Sequence, residues 1–292
     1  MIMMIYPRIL AAVLLSMHIL ATHAAEQKVG LEIGIAPFLP VKTLVQNYAP
    51  LRDYLQTQFK EHVVIVSAPD YKSYYKAVQK HEFPLIITAA NTAYLAWADD
   101  KYIPLLQPQN FTQPVVVITN SQSFKQLSDL RGKTISTPDA TAIISMQGLQ
   151  MLREAGLEAE RDFTIKHMQN HSAAVNLVIA GEAAAAIISN RALMQMPPSI
   201  KEQVKIVHTW EKGSAPGVVF MGSPDMPLKR LEKIRKAILE FSQNTPEGKK
   251  LMADFGYGGL QNIEPAELQA LALYGALLKS ILSYEKKSTD NK

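Results

Sequence analysis

The residues able to do chemistry are scattered, and most of their spacings fail a specific test. His167 and His171 are four apart, the interval that puts two imidazoles on one helix face for a metal. Here the interval covers the end of an expected strand and a loop, with no carboxylate within three residues. A core-edge histidine and a loop histidine are the expectation, and no metal. Gly132-Lys133-Thr134 looks like the end of a phosphate loop, but Leu127 stands where the required glycine would be, and the segment precedes a strand. Ser73 and Lys76 fit S-x-x-K without the companion motifs. Gly256-Tyr257-Gly258-Gly259 lacks the third glycine of a dinucleotide turn and reads as a loop between helices. There is no G-x-S-x-G and no cysteine, which excludes a serine elbow, disulfides and thiolate chemistry. With no recognisable base–nucleophile pair and no cofactor expected, the sequence points to binding, not catalysis.

Four polar clusters remain where a strand hands over to a helix: Asp70-Tyr71, Asn91-Thr92, Asp139-Ala140-Thr141 and Asn170-His171-Ser172. Ligands of parallel α/β sheets bind beyond the carboxyl ends of the strands. The helix N-termini there offer free N–H groups and a positive dipole end, which suit anions. Asp, Asn, Ser and Thr are also ordinary N-caps, and a cap explains any one cluster. Four of them around one cleft favour a ligand. The candidate binding residues are therefore Tyr71, Asn91, Thr92, Asp139, Thr141, His171 and Ser172.

The elements that must position them follow from periodicity. Leu31–Pro37, Val63–Val66 and Leu85–Thr88 are short apolar or β-branched runs expected as strands. Between them, Val41–Phe59 and Tyr71–Gln79 have helical spacing, with Pro50 expected to kink or split the first; Asn91–Ala98 opens a helix with Asn91 as its N-cap. The alternation repeats in the middle of the chain, with strands at 133–137, 163–168 and 184–189 and helices at 142–155 and 172–180. This implies α/β architecture, each half a mostly parallel sheet flanked by helices. No Pro/Gly/Ser linker divides the halves, so the chain is expected to cross on extended segments, Pro108–Val117 outward and Val207–Val218 on return. The expected division is residues 25–111 plus 216–292 as one lobe and 112–215 as the other.

Export is written at the start. Arg8 is the sole charge before Glu26, Ile9–Leu20 is apolar but for Ser16 and His18, and small residues follow. That is the order of a secretory signal peptide, residues 1–24, with an uncleaved anchor as the alternative, and the expectation is an exported protein. Thirty basic against 26 acidic residues give +4 with no like-charge block, so no nucleic-acid partner is expected.

At these residues the chain resembles the periplasmic phosphate/phosphite/phosphonate solute-binding proteins of ABC importers, which have the two-lobed type-2 periplasmic-binding-protein fold. The matching pieces are Tyr48–Leu55, Ala68-Pro69-Asp70-Tyr71, Asn91–Tyr94, Leu127–Lys133, and Asn170-His171 before Gly181-Glu182-Ala183. The resemblance implies that Tyr71 and His171 belong to an oxyanion site closed by a hinge motion. It implies a small-molecule ligand, a monomeric protein, and a membrane permease or a sensor receptor as partner. The chain departs from the family where a hydroxyl-rich turn reads Asp139-Ala140-Thr141-Ala142-Ile143-Ile144, and where Ser172, Ala184, Leu85 and Ala89 replace more polar residues. Each missing donor costs a desolvated oxyanion about 1–3 kcal/mol. The departures imply a less polar pocket for a weaker anion or a neutral, partly apolar molecule. The alternative is phosphate-like recognition through backbone N–H groups alone.

Overall fold

A computed structural model describes residues 29–109, 114–212 and 217–290. The expected signal peptide lies outside them, as do parts of both expected crossing segments. Six strands, β1 (Val29–Ile35), β2 (His62–Val66), β3 (Leu85–Thr88), β4 (Ile103–Pro108), β10 (Val219–Gly222) and β11 (Leu260–Asn262), form one sheet in the order β11-β4-β10-β3-β1-β2. Five more, β5 (Val115–Thr119), β6 (Thr134–Thr137), β7 (Thr164–His167), β8 (Ala185–Ser189) and β9 (Lys205–Trp210), form a second in the order β7-β6-β8-β5-β9. The chain thus passes from the first sheet to the second after β4 and returns after β9.

The α/β class is as expected, but the sheets are mixed where mostly parallel ones were expected. β1 pairs in parallel with β2 and β3, and β6 with β7 and β8, each joined by a helical crossover. The strands next to the passages between sheets reverse direction: β10 is antiparallel to β3 and β4, and β5 to β8 and β9. A chain that leaves one sheet and comes back returns along its neighbours, and two strands not singled out in the sequence complete the edge: β4, which contains Pro104 and Pro108, and β11, three residues long.

Helices cover both faces of each sheet, so central strands are apolar on both sides. Along β5, Val115 and Val117 join one buried cluster and Val116 and Ile118 the other, the period-two alternation of a strand. The helices are α1 (Val41–Phe59), α2 (Tyr71–Gln79), α3 (Ala90–Ala98), α4 (Ile143–Glu154), α5 (His171–Ile179), α6 (Asn190–Met194), α7 (Pro198–Lys201), α8 (Leu228–Asn244), α9 (Pro246–Asp254), α10 (Pro265–Gln269) and α11 (Ala272–Asp290). Pro50 neither splits nor ends α1. The helix gives up one backbone bond there, while its buried face of Leu44, Tyr48, Leu51 and Leu55 holds it against the sheet.

Candidate functional site

The parallel strands of the two sheets end on the same small cavity. Ala36 and Phe38 follow β1, Tyr71 follows β2 and Ala89 follows β3. From the second sheet, Ala142, Ile143 and Ile144 follow β6, His171 follows β7, and Arg191 and Ala192 follow β8. Gly217 and Val218 before β10, with Gln195 and Tyr257, complete the wall. The volume is about 30 Å³. A larger open groove of about 690 Å³ lies beside it and shares Gln195, but charged side chains such as Lys201, Glu247 and Asp254 line it, and of those strand ends only that of β8 touches it, through Asn190.

Helix starts dominate this wall. Tyr71 and His171 are the first residues of α2 and α5, and Ile143 and Ile144 the first two of α4. First-turn N–H groups have no carbonyl partner within their own helix. Asp70 caps α2, its carboxylate accepting from Ser73 N at 2.6 Å, and Asn170 caps α5, accepting from Ala173 N at 3.0 Å. Those residues at the hand-overs are caps, and the side chain after each cap faces the cavity.

His171 is only 3% exposed. Burial pulls its pKa down to about 3, so the ring is neutral at physiological pH. Its Nδ1 accepts from Ser189 N at 3.4 Å, which leaves the hydrogen on Nε2 and makes that nitrogen a donor. Its own backbone N–H donates to Phe38 O at 3.1 Å, joining the two halves of the fold. Tyr71 is also buried; desolvation first, then the charge of Asp139, pushes its phenol up, so it stays protonated and able to donate. Both side chains sit among apolar neighbours, so truncation to alanine would leave a cavity as well as remove a polar group.

The other candidates do not face the cavity. Asn91 is not the cap of its helix. α3 begins one residue earlier, Ala89 is its N-cap, and the Asn91 side chain turns across to the other half, Nδ2 donating to Thr141 O at 2.8 Å. Its Oδ1 accepts from Thr92 N, and Asp139 Oδ1 accepts from both the N–H and the hydroxyl of Thr141. Asn91, Thr92, Asp139 and Thr141 therefore form a hydrogen-bonded bridge between halves beside the cavity. Ser172 is buried in the first turn of α5, next to His171 and outside the lining. His167 lies exposed on β7, bonded to Thr137 Oγ1 at 2.8 Å.

Of the departures from the family pattern, Ala89, Ala142, Ile143 and Ile144 line the cavity. Leu85 opens β3 and Ala184 precedes β8, both at the opposite strand ends, so they do not bear on what the cavity holds.

Sequence reasoning missed Arg191, Gln195 and Tyr257. Arg191 follows Ser189-Asn190, a fifth strand-to-helix hand-over of the kind already used. Its guanidinium carbon lies 4.5 Å from the Tyr257 ring centroid, and Nη1 donates to the carbonyls of Phe255 (3.2 Å) and Gly256, the negative end of α9. Burial pulls its pKa down, but a guanidinium starts high enough to remain charged. Tyr257 is pushed up to about 12 by burial, against the pull of Arg191. Gly256 has φ +68°, which favours glycine, and a Cβ there would sit 3.0 Å from Met194 Cε and 3.1 Å from Arg191 Nη1, pressing on both side chains. Gln195 Oε1 is buried with no partner among the described residues.

Comparison with known proteins decides the family. Residues 33–268 match the family model described as the phosphonate periplasmic substrate-binding protein of ABC transporters. The chain belongs to that family. Its members are periplasmic substrate-binding proteins. Similar solved structures include PhnD1 from Prochlorococcus marinus, in complex with methylphosphonate, with TM-score 0.73, 13% identity, and coverage of 85% of this chain and 98% of that one. A binding protein component of an ABC phosphonate transporter from Pseudomonas aeruginosa gives TM-score 0.70 at 14% identity, covering 89% and 98%. The aliphatic sulphonate binding protein SsuA from Escherichia coli gives 0.57 at 16%, covering 88% and 92%. These likenesses show the type-2 periplasmic-binding-protein fold. A search of curated proteins finds no match.

Proposed function

We propose that this protein is exported by a cleaved signal peptide, captures a compact oxyanion with a small apolar substituent in the cavity between its halves, and delivers it to an ABC permease. Lobes of residues 25–111 plus 216–292 and 112–215 close by a hinge at the two passages between sheets. The observation that carries this reading is the convergence of α2, α4 and α5 starts from both sheets on one cavity. Helix-start N–H groups, the Tyr71 hydroxyl and His171 Nε2–H supply the donors that the lost hydroxyls would have given. The apolar side chains of Phe38, Ile143, Ile144 and Val218 supply the remainder of the wall. Of the two ligand readings open in the sequence, the buried Arg191 charge supports the anion over the neutral molecule. The ligand stabilises the closed state through contacts that only the closed state makes. No turnover is part of this function.

Titration calorimetry of the mature chain with methylphosphonate, phosphite, phosphate and methanesulfonate tests it. One molecule per chain should bind for at least one anion, with Kd on the order of micromolar or tighter. Binding only of neutral organic molecules of the same size would overturn the proposal, as would no binding of any anion.

A further inference from the structure

The cavity wall carries a fixed charge, and it is positive. Among the described lining residues there is no aspartate or glutamate, His171 is neutral, and Arg191 is the one side chain with a formal charge. Arg191 is 8% exposed, so solvent screens it little. It is held in place by the Phe255 and Gly256 carbonyls and by the Tyr257 ring, which belong to the part of the chain carrying the first sheet, while Arg191 itself belongs to the second. The helix starts around the same cavity add partial positive charge of the same sign.

From this we infer that Arg191 is a specificity-determining residue that restricts the ligand to oxyanions lacking a cationic group. The inference rests on the proposed reading of the cavity as an oxyanion site. A ligand ammonium inside this wall would be stripped of water, find no carboxylate lining the wall, and be repelled by the guanidinium. Of the carboxylates at the hand-overs, Asp70 is occupied by Ser73 N and Asp139 Oδ1 by the N–H and hydroxyl of Thr141, and neither lines the cavity. Gln195 Oε1 can accept a hydrogen bond but carries no charge. An uncharged alkyl group of the same size has the apolar side chains of Phe38, Ile143, Ile144 and Val218 in the wall to pack against. Arg191 also ties charge to closure, because its position depends on contacts with both halves.

The pair that isolates this effect is ethylphosphonate and aminomethylphosphonate, which match in heavy-atom number and differ in a methyl against an ammonium. Calorimetry on the intact mature chain, with methylphosphonate as the reference anion, should show wild type preferring ethylphosphonate over aminomethylphosphonate by about tenfold or more. Arg191→Gln should weaken both alkylphosphonates by about tenfold and narrow the preference toward unity. Arg191→Lys, which keeps the charge, should retain most of the preference, and it serves as the test if the glutamine variant does not fold. Equal affinity of wild type for the matched pair would overturn the inference while leaving the oxyanion reading intact. An unchanged preference in Arg191→Gln would do the same. Failure of all three phosphonates to bind wild type would overturn this inference, and failure of phosphite, phosphate and methanesulfonate as well would remove the oxyanion reading itself.

Discussion

Acidification should destabilise the protein through one buried histidine. In the unfolded chain the imidazole of His171 titrates near 6.5; in the folded protein burial lowers it to about 3. The folded state therefore refuses a proton that the unfolded state accepts. Above pH 6.5 the ring is neutral in both states and contributes no pH dependence. Below that, stability falls as pH falls, and the loss levels off only near the folded pKa. Integrating the proton uptake gives a loss of about 2 kcal/mol by pH 5 and about 3 kcal/mol by pH 4. This is a large part of the ~5–15 kcal/mol that holds a domain folded. Urea denaturation of wild type and His171→Gln at pH 7, 6, 5 and 4 reads it directly, because the other histidines cancel in the comparison. The wild type should lose about 2 kcal/mol more than the variant between pH 7 and pH 5. Parallel pH profiles for the two proteins would refute the assignment of His171 as a neutral buried donor.

Three further outcomes are expected. Asn91→Ala removes the bond to Thr141 O across the halves and leaves that carbonyl unpaired, so ligand affinity should weaken by about tenfold in calorimetry; unchanged affinity would show that the bridge does not support closure. Gly256→Ala forces a side chain onto φ +68° and against Arg191, costing about 1–2 kcal/mol in thermal denaturation and weakening anion binding as well. Asp70→Ala removes the cap of α2, which should lower stability by about 1 kcal/mol, with a melting point equal to wild type as the contrary result.

Most of the fold was legible because its signals are local. LIIT at 85–88 and the β-branched run at 63–66 are strands whatever surrounds them, and the helices between them show their spacing openly. The mixed pairing of each sheet was not legible, since direction depends on where the chain re-enters from the other half. Pro50 does not split its helix, because the local cost of the proline is outweighed by the burial of Leu44, Tyr48, Leu51 and Leu55, whose spacing the sequence shows but whose packing it does not. At the site, strand-end reasoning found Tyr71 and His171, whose side chains do share the cavity, because a cap fixes the side chain that follows it. The cap expected at Asn91 lies two residues earlier, at Ala89, and that shift turns the Asn91 side chain from cap to bridge. Arg191 gave the same hand-over signal and was passed over, a buried cation being hard to foresee without its carbonyl and ring partners. Tyr257 had no local signal beyond its flanking glycines; its place beside the cavity depends on Arg191, far away in sequence, which bonds the carbonyls at the end of α9.

Native mass spectrometry of the protein purified from cells without refolding bears most directly on the claim that a small anion sits where the two sheets' helix starts meet. One bound anionic solute per chain, retained by wild type and lost on Tyr71→Phe combined with His171→Gln, is the predicted result. A bare chain that also fails to take up any of the small oxyanions, or a bound solute that survives both substitutions, would contradict it.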